Sequence, residues 1–426
     1  MEDPQCESEA RALQAVSDKL RQARLKYEKL KALGASLDMT RGKPGADQLD
    51  LSQGLFECLR PEDYKTANGV DCRNYGGLDG IPEIREIFAD LLEVPPSQVI
   101  AAGNSSLSLM YGAFSELCAK GVSGEKPWLL QSGAKFICPA PGYDRHFAIC
   151  EHFGIKMETV GLSDSGPDMD AVEALAKDAS VKGMWCVPVF SNPTGCVYSA
   201  ETVKRLASLN PAAKDFRLFW DDAYFIHQFG PKKIHQGNIL KECEACSNPD
   251  LALVFASFSK VTFPGASVAA VAASKANLSW VRNRMSKEMV GPDKLNQLRH
   301  ARFFKNADGV LEHMQKMSNL LKPKFDTVLS SLERNLSGAC TWSKPEGGYF
   351  ISLNTPDGCA KRAIELSKEA GVAVTGAGAT FPYGVDPRDR NIRLAPSFPA
   401  LGDLKLAVEI FCAACNLAAL EKEAGI

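Results

Sequence analysis

Between residues 98 and 273, short apolar runs alternate with helical segments, and few folds accommodate that order. The apolar runs fall at 98–102, 135–138, 156–160, 181–190, 217–224, 251–255 and 267–273. Each has strand length. Helical patterns at 107–119, through 151, at 168–179 and at 200–209 separate several of them. Strands joined by helical crossovers lie parallel and need helices on both faces of their sheet. The pattern therefore implies a doubly wound, mainly parallel seven-stranded sheet of the α/β class. After residue 300 the alternation stops. A long helical stretch at 303–335 leads to a strand at 348–353, a helix at 359–370, a strand at 391–394 and a last helix from Leu401. We expect three regions: an N-terminal segment at 1–49 that joins the small domain, a large domain at 50–302, and a small α+β domain at 303–426.

A doubly wound sheet binds ligands beyond the carboxyl ends of its strands, so residues there carry the functional argument. Lys260 ends Ala256-Ser257-Phe258-Ser259-Lys260, just past the 251–255 run. Partial desolvation disfavours the charged form of such a lysine and leaves a usable amine. A surface lysine at a strand end has the same local sequence, so this stretch alone does not decide. The 217–224 run delivers Asp221, Asp222 and Tyr224, and the 181–190 run ends in Asn192-Pro193-Thr194-Gly195. Gly103-Asn104-Ser105-Ser106 turns from a strand into a helix. Free amides and the helix dipole make such a turn a seat for phosphate, although it is neither a P-loop nor G-x-G-x-x-G. Before the sheet, Asp38 to Gly45 reads as a loop that holds Arg41 and Lys43 close together, either as an anion contact or as a solvated basic turn. A second, glycine-dense loop spans Asn74-Tyr75-Gly76-Gly77 to Pro82, where a helix starts.

Charge and composition remove several function classes. The net charge of -2 gives no electrostatic case for nucleic acid or an anionic membrane. No apolar stretch is long enough to span a bilayer. The acidic start Met1-Glu2-Asp3-Pro4 lacks the apolar region of a secretory leader. Residues 8–33 are rich in Lys, Arg, Leu and Ala, but Glu7, Glu9, Asp18 and Glu28 favour an amphipathic surface helix over a transit peptide. The 14 cysteines sit mostly alone in apolar surroundings. That is the pattern of a reducing, cytoplasmic setting and not of a disulfide framework. Two C-x-x-C pairs, Cys243 with Cys246 and Cys412 with Cys415, raise a four-thiolate zinc site. The second pair lies in the apolar helical run 404–420, where cysteine acts as a small core residue, and we expect no metal.

Taken together and in order, Asn192-Pro193-Thr194-Gly195, Asp221-Asp222-Ala223-Tyr224, Ser257-Phe258-Ser259-Lys260 and the late Arg393 resemble the fold-type-I pyridoxal-phosphate aminotransferases over nearly the whole chain. Arg41-Gly42-Lys43-Pro44 and Gly291 to His300 resemble the MocR-like branch, which contains a class of aspartate aminotransferases. No counterpart of the MocR DNA-binding region is expected. The resemblance implies pyridoxal 5'-phosphate in the 50–302 domain, with Lys260 as Schiff-base lysine and general acid/base. It implies Asp221 on the pyridine nitrogen, since D-x-A-Y spacing selects it over Asp222. Asn192 and Tyr224 would bond the ring's phenolic oxygen, and Tyr143 would stack on the ring. Asn104, Ser105, Ser106 and Ser257 would hold the phosphate, and Tyr75 would reach it from the partner of a homodimer. Arg393, with Asn192, would take the substrate α-carboxylate. The implied reaction passes an amino group from aspartate to 2-oxoglutarate by a ping-pong route. Transamination or β-elimination of another amino acid, or a non-catalytic cofactor-binding effector domain, are the alternatives. A dicarboxylate needs a second cation, for which Arg41, Lys43, Lys294 and Arg299 are candidates. One departure stands out: residues 261–268 lack the arginine that the family usually places on the phosphate, and Ser267 is a candidate substitute.

Overall fold

A computed structural model describes residues 4–230 and 237–426, with side chains from residue 16 onward. Residues 1–3 of the expected N-terminal segment lie outside the described residues. Among the described residues, thirteen strands occur in chain order. They are β1 (Leu37–Met39), β2 (Val99–Ala101), β3 (Lys135–Ala140), β4 (Lys156–Ser163), β5 (Gly166–Pro167), β6 (Val181–Cys186), β7 (Arg217–Asp221), β8 (Ala252–Ser257), β9 (Ala269–Ala273), β10 (Thr341–Trp342), β11 (Ile351–Asn354), β12 (Val372–Val374) and β13 (Asn391–Leu394).

The large sheet has the order β2-β9-β8-β7-β6-β3-β4-β5. Its five central strands, β8, β7, β6, β3 and β4, are mutually parallel. The antiparallel β9 lies between β8 and β2. The seven expected strands are all present, and the eighth, β5, is a two-residue antiparallel addition at the β4 edge. Alternation along each strand feeds two cores. Ala252, Val254 and Ala256 of β8 face one core with Leu218 and Trp220 of β7. Leu253 and Phe255 face the other with Phe219. That second core is dense in aromatic rings, with Phe114, Trp128, Phe136, Trp185 and Phe219 within 6 Å of one another in successive pairs. Each such buried ring contributes about 2–3 kcal/mol through burial.

A third core belongs to the other end of the chain. Tyr27 of the helix Pro4–Lys31, Met39 of β1, Phe325 and Val328 of the helix Ala307–Leu336, and Leu404 to Leu420 of the helix Leu401–Glu423 pack together. Here β1 pairs in parallel with β12, so the start of the Asp38 loop is a strand and not a free turn. The long helical stretch expected at 303–335 is the helix Ala307–Leu336, and a separate helix precedes it. Lys294–Phe304 stops at Lys305, whose φ of 68° breaks the helix, and Ala307–Leu336 follows. A small fourth cluster joins the strand ends to this region, through Val187, Phe190, Ala223 and Tyr224 on one side and Tyr349, Phe350 and Ala395 on the other. The candidate functional residues gather around that junction. Among the described residues, no helix is long and apolar enough to cross a membrane.

Candidate active site

The strand β7 ends in Asp221, which is 3% exposed. Both carboxylate oxygens are engaged. Oδ2 lies 3.1 Å from His146 Nε2, and Oδ1 accepts from Ser106 Oγ at 3.4 Å. His146 stacks on Trp185 at 4.4 Å between centroids, and the Tyr143 ring meets its edge at 5.0 Å. A buried carboxylate needs such partners, because desolvation without them is costly. His146 is a candidate functional residue that the sequence reading misses. Its only signal is spacing: three residues past Tyr143, it shares that residue's side of the helix Asp144–His152.

Lys260 follows β8 and carries its Nζ 4.8 Å from the centre of the Tyr224 ring. Burial pushes its ammonium below the ordinary lysine value, and the charge on Asp221 opposes that push. The Lys260 main-chain carbonyl is pinned. Tyr349 Oη donates to it at 3.2 Å, and His227 Nε2 lies 3.3 Å away. Burial lowers the His227 imidazole to about 3, with the Lys260 charge acting the same way, so the ring is neutral at physiological pH. Burial also raises the Tyr224 and Tyr143 phenols, which keeps them protonated as donors.

Ser105, Ser106, Tyr143, Asn192, Asp221, Tyr224, Ser257 and Lys260 all line one cavity. Strand-end geometry therefore brings most of the expected site together. The helix Ser106–Ala119 begins at its rim, and its N-cap Ser105 makes no side-chain capping bond, so the first amides are left for a ligand. Asn104 sits just outside. Its Nδ2 donates to the Gly265 carbonyl at 3.2 Å, while its own carbonyl accepts from Ser259 Oγ at 3.0 Å. Ser259, which the sequence reading did not single out, lines the cavity. Ser267 does not. It is fully buried and its hydroxyl donates to the Val268 carbonyl at 3.3 Å, so it does not replace the missing arginine.

Arg393 on β13 is 6% exposed. Its Nη1 donates to Asp144 Oδ1 at 2.8 Å and to Asn192 Oδ1 at 3.2 Å, and its Nε donates to Thr375 Oγ1 at 3.3 Å. Phe350 lies under the guanidinium at 5.0 Å. The Arg41–Lys43 loop closes over this arrangement. Thr375 Oγ1 donates to the Thr40 carbonyl at 2.8 Å, and Gly42 presses on the Phe350 ring so closely that any Cβ there would collide. Arg41 is exposed, and Lys43 Nζ sits 3.8 Å over Phe398. The other two candidate cations are spent elsewhere. Lys294 is buried and donates to the Tyr75 carbonyl at 3.1 Å, while Arg299 bonds Asn296. Tyr75 itself points outward, 83% exposed.

Asp222 faces away from this cavity, as alternation requires. It lines a separate space of about 160 Å³ with Trp220, Val254 and Asn238. Among the described residues its Oδ1 has no partner, and burial, reinforced by Asp221, raises its carboxyl to about 8. A carboxyl raised in the folded state is neutral there while the unfolded chain ionises. Its stability contribution is thus full below the unfolded value near 4 and is lost as pH rises toward 8. Asp222→Asn is expected to raise the melting temperature at pH 8, by a stabilisation on the order of 1–3 kcal/mol. The gain should vanish near pH 4, and thermal unfolding at the two pH values checks it. A gain that is equal at both would mean that Asp222 is not titrating in this range.

The C-x-x-C pairs are housed in different cores, Cys243 against the large sheet and Cys412 with Cys415 in the C-terminal core. Among the described residues, no three His, Cys, Asp or Glu side chains gather as a metal site.

The aspartate amino-transferase family model matches residues 12–426. The chain belongs to that family. This aminotransferase is 45% identical over 399 residues to an aspartate aminotransferase of Corynebacterium glutamicum, covering 93% of this chain and 92% of the relative. The crystal structure of an aspartate transaminase from Corynebacterium glutamicum matches it with a TM-score of 0.94 and 44% identity, covering 96% of this chain and 97% of that one. The α-aminoadipate aminotransferase of Thermus thermophilus shares the fold, with a TM-score of 0.73 at 22% identity over 92% of this chain and 94% of that one. The architecture is that of the fold-type-I aminotransferases.

Proposed function

We propose that this aminotransferase exchanges the amino group of aspartate with 2-oxoglutarate, giving oxaloacetate and glutamate in two alternating half-reactions on one site. The observation that carries the reading is the single cavity shared by Lys260, Asp221, Asn192, Tyr143 and Tyr224, with Arg393 bonded to Asn192 beside it. The name of the Corynebacterium glutamicum relative supports aspartate as the substrate.

The donor set fits pyridoxal 5'-phosphate. Uncapped amides at the start of the helix Ser106–Ala119, with hydroxyls of Ser105, Ser106, Ser257 and Ser259, suit a phosphate. Among the described residues the family's arginine has no counterpart lining this cavity, so hydroxyls and the helix dipole would do that work. Asp221, held by His146, suits a protonated ring nitrogen. Asn192 and Tyr224 would donate to the ring's phenolic oxygen, and Tyr143 would cover one ring face. When bound, the cofactor supplies the electron sink for charge developing at the substrate Cα and carries the amino group between half-reactions. Lys260 Nζ takes the Cα proton and returns it, a task that suits an amine whose proton affinity burial has reduced. Arg393 orients the α-carboxylate. We further assign residues 50–302 to the cofactor-binding domain and 303–426, with 1–49, to the small domain. The outward Tyr75, on a loop that Lys294 anchors, supports a homodimer in which this tyrosine reaches the partner's phosphate seat. The basic loop of Arg41 and Lys43, which adjoins Arg393, is our choice for the distal carboxylate.

The visible spectrum of the purified protein tests this. Adding L-aspartate without an oxo acid is expected to abolish the cofactor's lysine-bound band, and 2-oxoglutarate is expected to restore it. A band that responds only to another amino acid would keep the aminotransferase and overturn aspartate. No band after incubation with pyridoxal phosphate would overturn the cofactor assignment.

A further inference from the structure

We infer that Asp144 is a built-in occupant of the Nη1–Nη2 edge of Arg393, which an incoming amino or oxo acid displaces when its carboxylate forks across that edge. The inference rests on the reading of Arg393 as the α-carboxylate clamp.

Arg393 is a buried cation, and a buried charge without a counter-charge is strongly disfavoured. In the ligand-free chain Asp144 supplies that counter-charge, with Oδ1 accepting from Nη1 at 2.8 Å. The other two partners, Asn192 and Thr375, are neutral. A substrate carboxylate that forks across a guanidinium needs two N–H groups on one edge. Two edges include Nη2: on the edge of Nη1 with Nη2, Asp144 and Asn192 hold Nη1, and on the edge of Nε with Nη2, Thr375 holds Nε. The pair is asymmetric in exposure: the Arg393 side chain is 7% exposed and that of Asp144 is 36% exposed. Asp144 can therefore turn toward water at modest cost, whereas Arg393 cannot follow it. Asp144 is also the first residue of the helix Asp144–His152, where the helix dipole favours a carboxylate after displacement. Asn192 and Thr375 would keep the guanidinium oriented throughout.

The consequence is a positioning residue that holds Arg393 charged, paired and aimed while the site is empty, and that lowers substrate affinity in doing so. Removing its charge strips a competitor and leaves the empty clamp unpaired, and both effects favour ligand. The test is the dissociation constant of maleate, an inert dicarboxylate, measured by calorimetry on the cofactor-loaded protein. Asp144→Asn is expected to bind maleate about three- to tenfold more tightly, the scale of one partly exposed charge-assisted hydrogen bond. The KM for aspartate should fall by a similar factor, and the melting temperature without ligand should fall and recover with maleate. Asp144→Ala should follow the same direction, which guards against a new contact made by the amide. Unchanged or weaker maleate binding in both variants would overturn the inference. Arg393→Ala separates the two layers. If it loses maleate binding while the Asp144 variants gain none, the clamp stands and only the role of Asp144 falls. If Arg393→Ala binds maleate as the unaltered protein does, the clamp is misassigned and the inference falls with it.

Discussion

Lys260→Ala is expected to lose at least about four orders of magnitude in transamination while keeping its fold. On the proposed roles of Lys260, the size follows from two losses on one side chain, the amine that would anchor the cofactor and the base that would move the Cα proton, of which proton transfer alone is worth about 10²–10⁴-fold. The intact fold follows from how the residue is held. The Lys260 side chain meets the Tyr224 ring, but its backbone is fixed through the carbonyl, by Tyr349 and His227. Tyr349 is in turn 3.0 Å from Gln48 Oε1, and Gln48 donates to the Ser397 carbonyl. None of these bonds needs the amine. Removing a half-buried amine whose charged form desolvation disfavours should cost little stability. Turnover, the visible band and thermal unfolding, measured on the same preparation, check the prediction. Activity within tenfold of the unaltered protein would mean that another group carries the proton.

Much of this site is written in strand-end tetrapeptides. Asn192, Asp221 and Lys260 each follow a recognisable apolar run, and a parallel sheet necessarily brings such ends together. The rest depends on tertiary contacts without a local signature. His146 lies in the first turn of its helix, and nothing in its neighbourhood says that it meets a carboxylate 75 residues away. Thr375, Tyr349 and Gln48 act through hydrogen bonds across more than one element. Ser267 fails as a substitute for the phosphate arginine because periodicity cannot say that its hydroxyl is consumed by the adjacent carbonyl. Lys294 shows the same gap. Its charge suggests a ligand, while its burial commits it to the Tyr75 loop. The short β1 escapes a sequence reading because its partner, β12, is more than 330 residues away, and three residues carry no period of their own.

Asp221→Asn should lower kcat/KM by about 10²–10³-fold, the usual scale for removing one preorganised charge from a reacting centre. The amide preserves shape and retains one acceptor, so the change isolates charge from packing. A second effect has a definite sign. The Asp221 carboxylate favours the ammonium form of Lys260 against burial. Without it burial acts unopposed, and the Lys260 amine becomes neutral at lower pH. On the proposed Schiff-base role of Lys260, the rate at which the apo protein takes up pyridoxal phosphate would depend on that neutral amine, so its rise with pH should move to lower pH in Asp221→Asn. The adjacent Asp222→Asn provides the contrast. Asp222 faces the opposite side of the sheet and already carries a proton below about 8. It should keep its turnover at pH 7 and leave the uptake profile in place. Equal losses in both variants would make the effect one of strand-end disruption. A larger loss in Asp222→Asn would move the ring-nitrogen role to the neighbouring acid, contrary to which face of β7 meets Lys260.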